Sequence, residues 1–256
     1  MGVIIKNEKQ IEGIRRSSQL AAQTLDYLTP FIKEGVTTQK INDLADQFIV
    51  SHGARSAALG YKGFPRSICV SLNEVVCHGI PSSGVVLKKG DILNVDVTTL
   101  LAGFYGDVSR MFLIEPVAEE AKKLVAETKN ALMKAICFLA PGRYLNPCVG
   151  RVIENHVKQF GYVPVRSLTG HGVGIDFHED PSVFHFDLGY DDVLLEQGMI
   201  FTIEPMINQF NDHRVKTDLE DNWTVRTVKG GLSAQWEHTV LITATGHEIL
   251  TLPKRS

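Results

Sequence analysis

The sequence predicts an α+β protein built of two similar halves, each a pair of helices followed by strands. Three observations predict it. Two early segments carry apolar residues at helical spacing and end on Pro or Gly; the same order returns roughly a hundred residues later; and strand-like runs follow each pair.

The first helix places Ile11, Ile14, Ala21, Leu25 and Leu28 on one face, with a polar skip at Ser18. Asn7 is its cap with Gln10 three residues on, and Pro30 and Gly35 end the segment. A second helix from about Thr38 presents Ile41, Leu44, Ala45, Phe48 and Ile49, with Gly53 just past its end. The third, from about Val117, turns Leu124, Ala131, Leu132, Ala135 and Leu139 inward until Pro141-Gly142. Asn146-Pro147 is expected to cap and open a fourth helix that carries Val149, Val152, Ile153, Val157 and Phe160 and stops at Gly161. Strand-like runs fall at 67–70, 92–99, 105–114, 198–207, 224–228 and 233–243. No linker divides the chain, so residues 1–256 read as one domain, with any shared site at the junction of the halves.

Composition excludes several classes of function. An apolar fraction of 44% suits a protein with an ordinary core, and a net charge of −3 argues against a broadly basic DNA-binding surface. The N-terminus carries no secretory-type apolar run, and no stretch is apolar enough to span a membrane. Cys69, Cys77, Cys137 and Cys148 form no CxxC pair and read as small buried thiols of a reducing compartment, which makes the cytoplasm the expected location.

Four carboxylates stand inside apolar strand patterns. Asp96 interrupts Ile92-Leu93-Asn94-Val95 and Val97, and Asp107 lies on the run returning to Met111-Phe112-Leu113-Ile114. With the turn centred between Leu101 and Ala102, Asp96 is expected directly opposite Asp107, a destabilising pair unless neutralised. Glu204 and Glu237 interrupt two later runs in the same way, and His171 sits in Thr169-Gly170-His171-Gly172-Val173-Gly174. Edge exposure, pairing with Arg110 or Arg226, and a general acid/base couple are alternatives. Several carboxylates with one imidazole best suit two divalent cations.

The blocks Val75-Val76-Cys77-His78-Gly79-Ile80-Pro81, Asn94-Val95-Asp96-Val97-Thr98, Gly106-Asp107-Val108-Ser109-Arg110, Gly170-His171-Gly172-Val173-Gly174, Phe201-Thr202-Ile203-Glu204-Pro205 and Ser233-Ala234-Gln235-Trp236-Glu237-His238-Thr239 resemble, in order, those of type I methionine aminopeptidases. The resemblance covers nearly the whole chain. It implies the pita-bread fold, two pseudo-symmetric helix–helix–strand halves around a central antiparallel sheet. It also implies removal of the initiator methionine from nascent proteins when the second residue is small. Two divalent metals (Co, Mn, Fe or Zn) would be held by Asp96, Asp107, His171, Glu204 and Glu237, with Asp107 and Glu237 bridging. The water between them would be the nucleophile, Glu204 the proton shuttle, and His78 and His178 the contacts to the scissile amide and developing oxyanion.

The resemblance further places Tyr61, Phe64, Cys69, Phe177 and Trp223, with His78 and His178, around the methionine side chain. Ala58 and Phe64 depart from the Cys and Tyr common there, which alters pocket volume. Asn73, Val75 and Ser233 match a monovalent-cation site (Na or K). Family members are usually monomeric and work near the ribosome, some through a basic loop. Here 208–223 is net acidic, so ribosome docking through it is expected to be weak. Aminopeptidase P and prolidase share the fold and are the alternative specificity; they usually carry a further N-terminal domain for which this chain has no room.

Overall fold

Asn7 opens helix α1 (Glu8–Leu28) with the expected reciprocal cap: its side chain accepts from the Gln10 amide, and the Gln10 side chain accepts from the Asn7 amide. The computed structural model describes residues 2–252. Helix α1 buries Ile14, Ala21, Leu25 and Leu28. The polar skip is itself a contact, because Ser17 exchanges hydrogen bonds with Thr99 while Ser18 is buried beside it. Thr37 caps α2 (Thr38–Ser51), which buries Ile41, Leu44, Ala45 and Ile49. These helices cover the strands β1 (Arg55–Ser56), β2 (Cys69–Leu72), β4 (Ile92–Leu101) and β5 (Phe104–Leu113), while β3 (Val75–Cys77) pairs with a strand of the second half. Their shared core holds Leu25, Leu28 and Ile41 against Ile68, Val70, Leu93, Val95 and Val97.

The second half repeats the order with α3 (Glu119–Ile136), α4 (Leu145–Cys148) and α5 (Gly150–Val157). Here the expected cap is corrected. Asn146 lies inside α4, buried, and uses its amide to donate to the Phe186 carbonyl and accept from Leu188, both at 2.9 Å. Tertiary bonding has taken the side chain that would have capped, and Val149 (φ −106°, ψ −73°) divides the expected fourth helix in two. Gly161, in the left-handed region, ends the segment as expected. Cys137 is also corrected: it is exposed at the end of α3, whereas Cys69, Cys77 and Cys148 are buried.

The remaining strands are β6 (Val163–Pro164), β7 (Gly170–Gly172), β8 (Glu179–Val183), β9 (Ile200–Ile203), β10 (Met206–Asn208), β11 (Val215–Thr217), β12 (Val225–Thr227), β13 (Ser233–Gln235), β14 (His238–Ile242) and β15 (His247–Ile249). The described ladders are antiparallel, with hydrogen-bonded sets β1-β4-β2 plus β5, β13-β10-β6, β11-β12-β3 and β15-β14-β9-β7-β8. The halves are stitched together where β4 and β5 meet 235–239. Asn94 donates to the Gln235 carbonyl at 2.8 Å, and the Thr239 hydroxyl donates to the Asp107 carbonyl at 2.7 Å. None of the described helices is long and apolar enough to cross a membrane.

Candidate active site

The β4–β5 hairpin turns at Ala102-Gly103, both with positive φ (51° and 87°), the conformation that suits a two-residue hairpin turn. That turn lies one residue later than the sequence suggested, so the expected opposition of Asp96 and Asp107 is corrected: Asp96 pairs with Ser109 and Thr98 with Asp107. The two carboxylates are diagonal neighbours on one face, and like charges are not directly opposed. Thr98 donates its hydroxyl to Asp107 at 2.7 Å instead.

Pro205, which lacks an amide for the ladder, interrupts the second ribbon. Ile203 pairs with His238 on one side of the break and Met206 with Gln235 on the other. Glu204 and Glu237 are thus bracketed in register. Strand β7 delivers His171 between two glycines whose added Cβ would lie 2.6 Å from the Thr202 carbonyl and 2.2 Å from the Asp180 carbonyl. The close approach of both neighbouring strands requires those glycines.

One carboxylate oxygen from each of Asp96, Asp107 and Glu237 lies within 4.8 Å of the others. His171 Nε2 is 3.7 Å from Asp107 and 3.6 Å from Glu204. Burial pushes all four carboxyl groups up, Asp107 to about 7 against hydrogen bonds from Thr98 and Val108 that oppose the shift. For Asp96, the neighbouring Asp107 adds repulsion; for Glu237, Asp107 and Glu204 do.

This set fits metal ions. His171 Nδ1 lies 2.9 Å from the Gly172 carbonyl, to which it donates, leaving the Nε2 lone pair aimed at the carboxylates. Burial holds the ring neutral, near 4, so no proton separates that lone pair from them. Among the described residues no Lys or Arg lies within ion-pair distance of the four carboxylates; Arg110 pairs with Asp26 and Arg226 with Glu74. Asp96 Oδ1 is buried with no hydrogen-bond partner. Oxygen donors with one imidazole, otherwise unneutralised, call for divalent cations.

These five residues form the floor of a cavity of about 340 Å³, and the catalytic and methionine-pocket residues selected from the sequence line it: Tyr61, Phe64, Cys69, His78, Phe177, His178 and Trp223. Phe64 meets Trp223 edge-on at 5.2 Å, Tyr61 lies 4.7 Å from Phe177, and His178 stacks on Tyr61 at 5.1 Å. His78 approaches Trp223 edge-on at 5.8 Å. Burial keeps His78 neutral; burial, followed by His171, Lys62 and His78, holds His178 near 3. Asn73 and Ser233 also meet, the Ser233 amide donating to the Asn73 carbonyl at 2.9 Å.

Sequence reasoning missed the residues that orient this floor. Thr202 donates to Glu204 at 2.8 Å and accepts from the His171 amide at 3.0 Å; Gln235 donates to the other Glu204 oxygen at 3.2 Å. Both stand two residues before a site glutamate, an alternation that signals a shared strand face. His185 accepts from the Glu204 amide at 3.1 Å and carries no such signal. The unassigned His156, His238 and His247 bond to Glu127, Thr251 and the Leu139 carbonyl, as structural residues do.

Residues 12–244 match metallopeptidase family M24. The chain is 46% identical over 256 residues to a methionine aminopeptidase of Rickettsia prowazekii, covering 100% of this chain and 98% of that relative. A solved methionine aminopeptidase of Rickettsia prowazekii superposes with a TM-score of 0.95 at 45% identity, over 98% of this chain and 100% of that one. A prolidase from Pyrococcus furiosus superposes with a TM-score of 0.78 at 22% identity, covering 98% of this chain and 66% of that one. That second likeness is one of fold alone, the two-half pita-bread arrangement.

Proposed function

This chain belongs to metallopeptidase family M24, and from that premise we propose how its cavity hydrolyses the bond after an N-terminal methionine. Methionine aminopeptidase activity is the function its full-length relatives support, and the prolidase-like alternative is not favoured. The observation that carries the reading is the unneutralised floor of Asp96, Asp107, His171, Glu204 and Glu237 beneath an aromatic pocket.

Asp96, Asp107 and Glu237 would hold one divalent ion, and Asp107 and Glu237, together with His171 and Glu204, would hold a second. When bound, the ions supply Lewis acidity that makes water a nucleophile near neutral pH and polarises the scissile carbonyl. Co, Mn, Fe and Zn all suit these donors. Tyr61, Phe64, Cys69, Phe177 and Trp223 enclose the thioether, with sulfur–aromatic contacts worth about 0.3–1.5 kcal/mol. Only a free α-amine can reach the acidic floor with its side chain so placed, which makes the enzyme an exopeptidase.

Glu204 takes the proton of the attacking water and delivers it to the leaving amine. Thr202 and Gln235 fix one oxygen each, so the carboxyl group reaches both positions without reorienting. His78 and His178, both neutral, donate N–H to the scissile amide region and the developing oxyanion.

Residues 1–256 form one catalytic domain, of which Met1 and 253–256 lie outside the described residues. A monovalent cation (Na or K) fits beside Asn73, Val75 and Ser233. The enzyme works in the cytoplasm as a monomer on nascent N-termini. Its ribosome contact through 208–223 is weak, because that segment is net acidic and its Arg214 is taken up by Asp212 at 2.7 Å.

The test is methionine release from Met-Gly-Met-Met and Met-Lys-Met-Met by chelator-stripped protein, with and without Mn²⁺ or Co²⁺. Metal-dependent cleavage of the Gly peptide with the Lys peptide spared is expected. Folded protein that releases no methionine with any metal would overturn the reading.

A further inference from the structure

Lys6 and Glu179 form an ion pair at 2.5 Å with both side chains closed to solvent, 0% and 2% exposed. Two buried charges stabilise a fold no better than apolar side chains of the same size, because both must be desolvated. What distinguishes the pair is what the carboxylate does. Its Oε2 meets Lys6, while Oε1 accepts from the backbone amides of Ile175 at 2.7 Å and Asp176 at 2.9 Å. Those amides belong to the turn joining β7 to β8, which carries Phe177 and His178 into the cavity.

The turn is gripped from three sides. Gly174 takes φ +135° with Ile14 of α1 so close that an added Cβ would lie 2.3 Å away, and its carbonyl accepts from the Tyr105 amide at 3.0 Å. Glu179 supplies the third grip. Lys6 comes from far along the chain, in the segment ahead of α1, which is itself anchored by a bond from the Lys6 amide to the Gly198 carbonyl at 3.0 Å.

We propose that Lys6 is a positioning residue for the reaction: it anchors Glu179 so that both turn amides stay bonded and Phe177 and His178 stay seated on the substrate cavity. The N-terminal segment is thereby a working part of the active site. This rests on the reading of Phe177 and His178 as substrate contacts.

The experiment compares Lys6→Met, Lys6→Arg and Lys6→Met/Glu179→Gln in the metal-loaded full chain. Amide hydrogen exchange is followed at Ile175 and Asp176, alongside kcat, KM and bound metal. In Lys6→Met, loss of a charge-assisted partner should speed exchange at both amides by about tenfold or more. It should lower kcat/KM to a similar extent while metal content holds. Lys6→Arg should stay near the parent, and the double variant, with no unpaired charge, should recover most of the loss. Unchanged exchange and kcat/KM in folded Lys6→Met, even with a lowered Tm, would overturn the proposal. If Lys6→Met does not fold, the shorter polar Lys6→Gln carries the same comparison. His178→Ala separates the two readings: full activity there removes the role of His178, while the exchange data still decide what Lys6 does.

Discussion

Thr98 stands directly opposite Asp107 across the β4–β5 hairpin and donates its hydroxyl to it at 2.7 Å. The bond orients a carboxylate that bridges the metals in the proposed site and opposes its protonation. Thr98→Val keeps the shape and removes the donor. Partners of metal ligands are typically worth 10- to 100-fold in affinity, so Mn²⁺ binding by titration calorimetry should weaken by about 10- to 100-fold with little change in Tm. Unaltered affinity would remove Thr98 from the site.

Metal removal should invert the pH dependence of stability. Asp107 is raised from its ordinary 3.8 to about 7, and burial shifts Asp96, Glu204 and Glu237 the same way. A group raised in the folded state contributes stability at low pH that is lost as pH rises through its folded pKa. His171, His178, His185 and His238 are lowered, chiefly by desolvation, so their contribution is lost on acidification and is complete above their ordinary 6.5. The carboxylates therefore dominate above about pH 6.5. Chelator-treated protein should melt lower at about pH 8.5 than at about pH 6.5, and the rise in Tm on adding Mn²⁺ should grow over that range because metal ligands bind deprotonated. Scanning fluorimetry showing stripped protein steady or gaining over that window would contradict the assignment.

The hairpin shows why the site was legible although the register was not. A turn centre moved by one residue shifts the partner by two, so Asp96 and Asp107 stay on one face whichever centre is chosen. The true centre needs Ala102 in the left-handed region, where Ala is uncommon, and Gly103 alone does not reveal it. Helical period and capping found α1 and α2 because those signals are local. Asn146 misled because its side chain answers to a loop some forty residues away, and His185 was invisible because packing alone brings it to the Glu204 amide.

His78 adopts φ +56° while half-buried, with Gly79 pressed so close that an added Cβ would sit 2.2 Å from the Val70 carbonyl. Such a backbone persists where its surroundings hold it in place, and here it sets an imidazole on the cavity wall. His78→Ala and His178→Ala should each lower kcat by about 10²–10³-fold, the usual cost of losing one donor to a developing oxyanion. Bound metal should stay unchanged, since neither is a proposed ligand. Steady-state kinetics with metal analysis of the same samples checks both; wild-type kcat would exclude the residue concerned.

At Gly106 the β4–β5 hairpin comes close against the backbone of α1. A Cβ there would lie 2.2 Å from the Ser18 amide nitrogen and 2.5 Å from the Ser17 carbonyl carbon. Both are helix backbone, so no rotamer change relieves the clash, and helix or strand must move. Overpacking of this kind costs about 1–3 kcal/mol even where side chains can yield. Gly106→Ala should lower Tm by several degrees or more. Because Asp107 follows directly, metal affinity should fall with it, unlike in Thr98→Val, where affinity falls alone. Trimming Ser18 to glycine in the same protein should restore neither, since the obstructing atoms remain. Thermal melts and Mn²⁺ titration of the single and double variants test this, and a Gly106→Ala protein with normal Tm and affinity would show that helix and hairpin do not meet as closely as described.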